Sequence, residues 1–476
     1  MLKRKVDIAI IGTGTAGMGA YREARQHTDS IALIEGGHYG TTCARVGCMP
    51  SKLLIAAAEA AHGAKHAEVF GIQVPAVLTD GTAVLERVRR ERDRFVDFVV
   101  DDVENFDVSH KVRGYARFLD AHRLLVDNGL EITADRIVIA TGSRPFIPEP
   151  LEGAGNRLLI NDDIFELEEL PKSVLVVGAG VIGLELGQAL SRLDVKVTML
   201  ARKESVGGIE DPEIRAIAAA TFQSEFDLRL HSEILGTKET DGGVQVSYRN
   251  ADGVIHTVTV DYVLAATGRV PNTDKLGLEH IGLTVGSNGV PNFNCLTMQT
   301  SQPHIFIAGD ANNELPLLHE ASDEGRIAGR NAGIYPSLEA GHRRAGLGVV
   351  FSDPQIASIG TRAQELPSTS YITGKVSFHN QGRSRVMAKN QGMLKIYVER
   401  ETGVLLGAEM FGPAAEHIGH LLAWAVQQSL TVPEILAMPF YHPVIEEGVR
   451  TAFRDAAEQL TPKENGGVGH AVASTA

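Results

Sequence analysis

The spacing G-x-G-x-x-G after an apolar strand occurs twice, and this duplication constrains the fold more than any other feature of the chain. In VDIAIIGTGTAGMGAYREARQHTDSIALIEG the strand from Val6 to Ile11 runs into Gly12, Gly14 and Gly17, and a second strand, IALIE, ends at Glu35, 23 residues past Gly12. The first glycine permits the tight turn, the second lets the backbone approach a pyrophosphate, and the third allows the helix to pack closely on the strand. A carboxylate at the end of the second strand can accept hydrogen bonds from ribose hydroxyls. The segment KSVLVVGAGVIGLELGQALSRLDVKVTMLARK repeats the pattern with Gly178, Gly180 and Gly183, but the same 23-residue step reaches Ala201, followed by Arg202 and Lys203. Two such units imply an α/β chain with two Rossmann-like dinucleotide sites. Each is followed by an apolar strand ending in small residues: RIVIATGSRP with Thr141 and Gly142, and YVLAATGRVPN with Thr267 and Gly268. Such ends suit a chain that leaves the sheet beside a bound cofactor. A further strand, HIFIAGDANN, ends in Gly309 and Asp310, and a carboxylate there can hold a cofactor hydroxyl.

Composition narrows the setting. A length of 476 residues corresponds to roughly three domains. The net charge of -14 would repel a phosphate backbone, which argues against a nucleic-acid partner. The basic start MLKRK precedes an apolar run too short for a signal peptide, and no stretch is long enough to span a bilayer. The chain is therefore expected in the cytoplasm, without a membrane partner. Only three cysteines occur, yet Cys43 and Cys48 stand together in TTCARVGCMPSK. In a reducing compartment such a pair is redox-active or metal-binding more often than a structural staple.

The order of fingerprint, Cys-x4-Cys-x-Pro-Ser-Lys, ATG, second fingerprint, ATGRVPN, IAGD and a late His-Pro resembles the flavin-dependent pyridine nucleotide disulfide oxidoreductases, the dihydrolipoamide dehydrogenase and glutathione reductase family. The resemblance runs from about Val6 to about Leu460. It implies that Cys43 and Cys48 form an active disulfide at the start of a helix, whose N-terminal dipole stabilises a thiolate. Cys43 would exchange with substrate and Cys48 would face the flavin. Lys52 would lie beside the flavin, paired with Glu185, and Thr42 would belong to the cofactor-binding residues. A metal site lacks a second ligand pair at suitable spacing, and a structural disulfide would close a loop too short to stabilise much. Where the family usually has asparagine between the cysteines, this chain has Arg45, whose charge can lower a thiol pKa or point to solvent. The segment MPFYHPVIEEGVR places His442 five residues before Glu447, resembling the family's base and its orienting carboxylate. In the family this segment serves the cysteines of the other subunit, so a homodimer is implied. Cys295 is expected to be a small buried hydrophobe without a redox role.

The resemblance implies an FAD domain of residues 1–148 and 271–345, an inserted NAD(P) domain of 149–270, a C-terminal α+β dimerisation domain of 346–461, and a disordered tail of 462–476. The implied cofactors are FAD, assigned to the first site, and NAD(P). The expected activity is oxidation of a dithiol, foremost dihydrolipoamide, with hydride transfer to NAD(P); the partner is a small dithiol or a lipoyl protein of a 2-oxo acid dehydrogenase complex. The alternatives are an NADPH-dependent disulfide reductase of the glutathione reductase type and, outside catalysis, a redox-sensing flavoprotein. A mercuric reductase would carry a further cysteine pair near its C-terminus, and none follows Cys295. At Ala201-Arg202-Lys203 the missing acid suggests relaxed specificity, with NADP accepted.

Overall fold

The computed structural model describes residues 2–460, so the tail expected to be disordered lies outside the described residues. The chain divides into two compact units: residues up to Gly207 with Phe222–Arg343, and Gly208–Thr221 with the described residues from Arg344 onward.

The first unit holds both fingerprints. Its seven-stranded sheet is ordered Lys111–Arg113, Ile31–Glu35, Leu2–Ile11, Leu130–Ile139, Arg123–Val126 and Ala116–Asp120, with Ile305–Ile307 paired to Leu130–Ile139. The strands at its centre are parallel and apolar on both faces, because helices cover them. Ala16, Ala20, Tyr21 and Ala24 of the helix Thr15–Ala24 bury against Ile8, Ile10, Ile31 and Leu33. On the same helix, Ala16 and Ala20 leave backbone so close to Gly325 and Gly329 of the helix Leu318–Ile334 that any side chain at those glycines would collide. The first helix is thus wedged from both sides, and its N-terminus is held at the end of the strand Leu2–Ile11.

A second, parallel five-stranded sheet repeats the arrangement, ordered Asp227–Arg229, Lys196–Leu200, Ser173–Val177, Tyr262–Ala265 and Leu158–Leu159. An antiparallel meander, Glu233–Thr240, Gly243–Arg249 and Ile255–Val260, covers it, burying Val244, Val246 and Tyr248 against Leu175, Val177 and Leu200. The two small-residue segments meet in a two-stranded ribbon, Ser143–Pro145 with Arg269–Pro271.

The second unit is built on an antiparallel sheet ordered Leu347–Val350, Gln355–Gly360, Leu405–Gly412, Met393–Glu399 and Tyr371–Ser377. The helices Ala415–Gln427 and Glu447–Leu460 pack their apolar stripes on it, with Ile418, Leu422, Phe453 and Ala456 in one core with Ile359, Ile396 and Met410. The fold is α/β with two Rossmann-like layers, as the glycine repeats imply, and an α+β unit, as the family resemblance implies. Among the described residues, no helix is long and apolar enough to cross a membrane.

Candidate active site

At the first fingerprint the three glycines divide their work. A side chain on Gly12 would strike the Ala140 carbonyl and one on Gly17 the Gly12 carbonyl, whereas at Gly14 nothing lies within 4 Å. Gly14 also caps the helix Thr15–Ala24 without any side-chain hydrogen bond, so the first amides face open space with their partial positive charge. The buried Thr141 hydroxyl, next to this turn, has no hydrogen-bond partner, which fits a position completed by a ligand. Glu35 Oε2 accepts from the Thr13 backbone N–H and hydroxyl, both at 2.9 Å, and Oε1 accepts from the Gly37 N–H at 2.7 Å. The carboxylate is thereby fixed at the strand end where a ribose would lie. Asp310 Oδ2 accepts from the Ser143 hydroxyl at 2.7 Å, and Arg269 donates to the same hydroxyl and to the Ser143 carbonyl, each at 2.8 Å. These residues would hold an adenine dinucleotide, with the open space at Gly14 free for its approach.

The cysteines depart from expectation in one respect. They do not share a helix: Cys43 lies in the short helix Thr42–Val46, and Cys48 opens the helix Cys48–Lys65. Gly47 makes the break, with φ -119° and ψ -117°, far from helical values. Thr41 caps the short helix by accepting from the Ala44 N–H at 3.2 Å, and Thr42 is its exposed first residue. Both cysteines are free thiols, Cys43 half-buried and Cys48 exposed, so the pair is seen as the dithiol partner of the expected disulfide. The two side chains are hydrogen-bond partners, and this contact pushes their proton affinities apart. The thiol of Cys43 is pushed well up, first by that bond and then by burial. Cys48 is lowered to about 7, first by the bond from Cys43 and with help from the charge of Lys52.

Lys52 stands one turn beyond Cys48 on the same helix and donates to Glu185 Oε2 at 2.7 Å. Glu185 is buried on the helix Val181–Arg192 that follows the second fingerprint, so this pair joins the cysteine helix to the second dinucleotide layer. Arg45 has a different addressee. Its charge acts on Asp162, whose carboxyl burial pushes up while Arg45 and Arg269 pull it down. Beside it, Asn161 Nδ2 donates to the Val46 carbonyl at 2.9 Å. The short helix carrying Cys43 is therefore pinned at its end by residues of the second layer.

The second fingerprint repeats the first. Side chains on Gly178 and Gly183 would meet the Ala266 and Gly178 carbonyls, while Gly180 has nothing within 4 Å and caps its helix without a side-chain bond. Gly142 and Gly268, at the two small-residue turns, have positive φ of 67° and 110° and open space beside them. Ala201 is buried, and Arg202 is exposed beside it.

In the second unit, His442 Nδ1 lies 3.0 Å from Glu447 Oε2, with 80% of the imidazole side chain exposed. Glu447 also accepts from Arg450 at 3.0 Å, and its carboxyl is held below the usual range, chiefly by the bond from His442. An ionised carboxylate only accepts, so Nδ1 carries a hydrogen toward Glu447 and Nε2 is left facing away from it. Cys295 contradicts its expectation, being exposed. The Asn294 side chain accepts from the Leu296 and Thr297 N–H groups, turning the chain at the surface where a core position was expected.

Several supporting residues escaped the sequence reading. Glu324, fully buried, accepts from the Gly309 N–H at 2.8 Å and from Asn312 at 2.7 Å, and so holds the turn that presents Asp310. In a sequence it looks like any acid on an amphipathic helix. Thr13, Asn161 and Ser143 are equally unmarked, but Arg269 had a signal: it occupies in ATGR the place of Ser143 in ATGS, and the two side chains meet.

Comparison with known proteins shows the family. Residues 6–325 match the family described as pyridine nucleotide-disulphide oxidoreductase, and residues 347–453 match its dimerisation domain. A dihydrolipoyl dehydrogenase of Geobacillus stearothermophilus is 34% identical over 452 residues, covering 93% of this chain and 94% of its own. The dihydrolipoyl dehydrogenase of Bacillus subtilis is 30% identical over 456 residues, covering 93% and 94%. Among solved structures, an HOCl-induced flavoprotein disulfide reductase of Escherichia coli has the same fold, with a TM-score of 0.79 and 23% identity, covering 96% of this chain and 100% of its own.

Proposed function

The chain belongs to the pyridine nucleotide-disulphide oxidoreductase family, FAD-dependent enzymes that also use NAD(P), and from that premise we propose that it oxidises a dithiol at Cys43 and Cys48, with dihydrolipoamide or a lipoyl protein as the leading substrate. The observation that carries this reading is the pair of neighbouring free thiols, Cys43 and Cys48, with the Lys52–Glu185 ion pair one turn beyond Cys48.

His442 Nε2 takes the proton of one substrate thiol, and Glu447 steadies the resulting imidazolium. The substrate thiolate attacks the Cys43 sulfur, forming a mixed disulfide and releasing Cys48 as a thiolate. The second substrate thiol displaces Cys43, closing the substrate disulfide, and Cys43 is reprotonated from the imidazolium. One dithiol has become a disulfide, two electrons rest on the pair, and one proton leaves. Bound FAD and the nicotinamide dinucleotide supply the two-electron chemistry that restores the enzyme disulfide. Gly12, Gly14, Gly17, Glu35, Thr42, Thr141, Gly142 and Asp310 would hold the flavin dinucleotide; Gly178, Gly180, Gly183, Glu185, Ala201, Arg202 and Gly268 would hold the nicotinamide one.

We assign residues 1–148 and 271–345 to the FAD domain, 149–270 to the NAD(P) domain and 346–461 to the interface. A homodimer follows from the dimerisation domain, and His442 of one subunit would serve the cysteines of the other. The helix Ala415–Gln427 supports this, since it leaves Leu421 and Trp424 exposed, and so does the exposed Tyr441 beside His442. A cytoplasmic setting and a lipoyl protein of a 2-oxo acid dehydrogenase complex complete the reading. Steady-state turnover of the purified enzyme, crossing dihydrolipoamide and glutathione disulfide with NAD and NADP, tests it: dithiol oxidation is expected, and turnover of glutathione disulfide alone would favour the reverse reductase.

A further inference from the structure

The two fingerprints can be superposed residue by residue through their hydrogen bonds. The Gly12 N–H donates to the Ile34 carbonyl and the Gly178 N–H to the Leu200 carbonyl, both at 2.8 Å. In the same way Ile11 pairs with Ile34 and Val177 with Leu200. The residue after Leu200, Ala201, therefore stands where Glu35 stands in the first site. Thr13, the hydroxyl that holds Glu35 there, is matched by Ala179. The second strand end thus lacks both the carboxylate and the group that would orient it.

What stands there instead is cationic. The backbone of Ala201 is fixed on both sides, its N–H donating to the Arg229 carbonyl and its carbonyl accepting from the Ser232 N–H, each at 2.9 Å. Arg202 and Lys203 leave this fixed point exposed to solvent, and among the described residues neither has a side-chain hydrogen bond or ion pair. Arg229 on the adjoining strand is already held by Asp227, and Glu204 adds one exposed acid. A ribose whose 2′ position carries a hydroxyl finds no carboxylate at the strand end, whereas one carrying a phosphate meets two uncommitted cations.

We propose that the second fingerprint takes a dinucleotide with a 2′-phosphate, NADP(H), and that Arg202 and Lys203 bind that phosphate. This rests on the reading of the second fingerprint as the nicotinamide site. The test is a calorimetric titration of the purified holoenzyme with two fragments, 2′,5′-ADP and 5′-AMP, followed by NADP and NAD. The 2′-phosphorylated fragment should bind ~10-fold to 100-fold more tightly, as one or two charge-assisted contacts provide. Arg202→Met with Lys203→Met should erase most of that preference, and Ala201→Glu should reverse it. All three positions lie outside the contacts that hold FAD, so flavin content should not change. Equal affinity of the two fragments, or a preference that survives the double substitution, overturns the proposal while leaving a nicotinamide site in place. Failure of every one of these ligands to bind overturns the nicotinamide reading and the proposal with it.

Discussion

Cys48 owes its lowered pKa first to the thiol of Cys43 and then to Lys52. A thiol lowered to about 7 is protonated below that pH and nucleophilic above it. Alkylation of Cys48 in the reduced enzyme should therefore rise through about pH 7 and level off, while Cys43, pushed up, stays slow across that range. Trypsin cleaves after Arg45, so the two cysteines fall in separate peptides and mass spectrometry can follow each. In Cys43→Ala the bond is lost, and the Cys48 midpoint should move toward the ordinary thiol value of ~8.5; an unchanged midpoint would remove the hydrogen bond from the explanation. Arg45→Asn should leave the midpoint where it is, because the Arg45 charge acts on Asp162. A clear upward shift in that variant would mean that Arg45 helps hold the thiolate after all.

Among the elements, the helices after the two fingerprints make a sharper comparison than either alone. An added methyl at Gly17 has the Gly12 carbonyl in its way, whereas one at Gly14 meets no protein atom within 4 Å. Gly17→Ala should cost ~1–3 kcal/mol of stability by overpacking and lower flavin content with it. Gly14→Ala should melt like the wild-type apoprotein yet bind FAD poorly, since the methyl occupies ligand space. Gly180→Ala should retain FAD and lose nicotinamide affinity; thermal melts and flavin absorbance separate these cases. The strands and glycine turns could be read in advance because an apolar run followed by three spaced glycines has few structural solutions. The split of the cysteine segment could not: one glycine between two short polar stretches carries no period, and only the positions of Thr42 and Cys43 against Gly47 reveal the break. Glu324 was hidden for a related reason, since burial of an acid depends on the loop it caps, Gly309–Asn312, and not on its own helix.

For the whole molecule, His442 and Glu447, proposed as the base and its orienting carboxylate, lie on a unit separate from the thiols. His442 was legible only through its His-Pro-x-x-x-Glu setting among 17 histidines, and the 3.0 Å contact to Glu447 gives that setting physical content. His442→Gln should lower dithiol turnover ~10²-fold to 10⁴-fold, the usual contribution of a general base. Mixing it with Cys48→Ser and allowing subunits to exchange should restore part of the activity, because one hybrid site then holds both intact groups. Hybrids that stay inactive despite verified exchange would put base and thiols in one chain. The central claim, that Cys43 and Cys48 carry the electrons between substrate and cofactor, is tested most directly by dithiol turnover per bound FAD in wild type, Cys43→Ser and Cys48→Ser. Both variants should keep FAD, which on the proposed reading is held by Gly12, Gly14, Gly17 and Glu35 and not by the sulfurs, and both should lose turnover. Wild-type turnover in Cys48→Ser would contradict it.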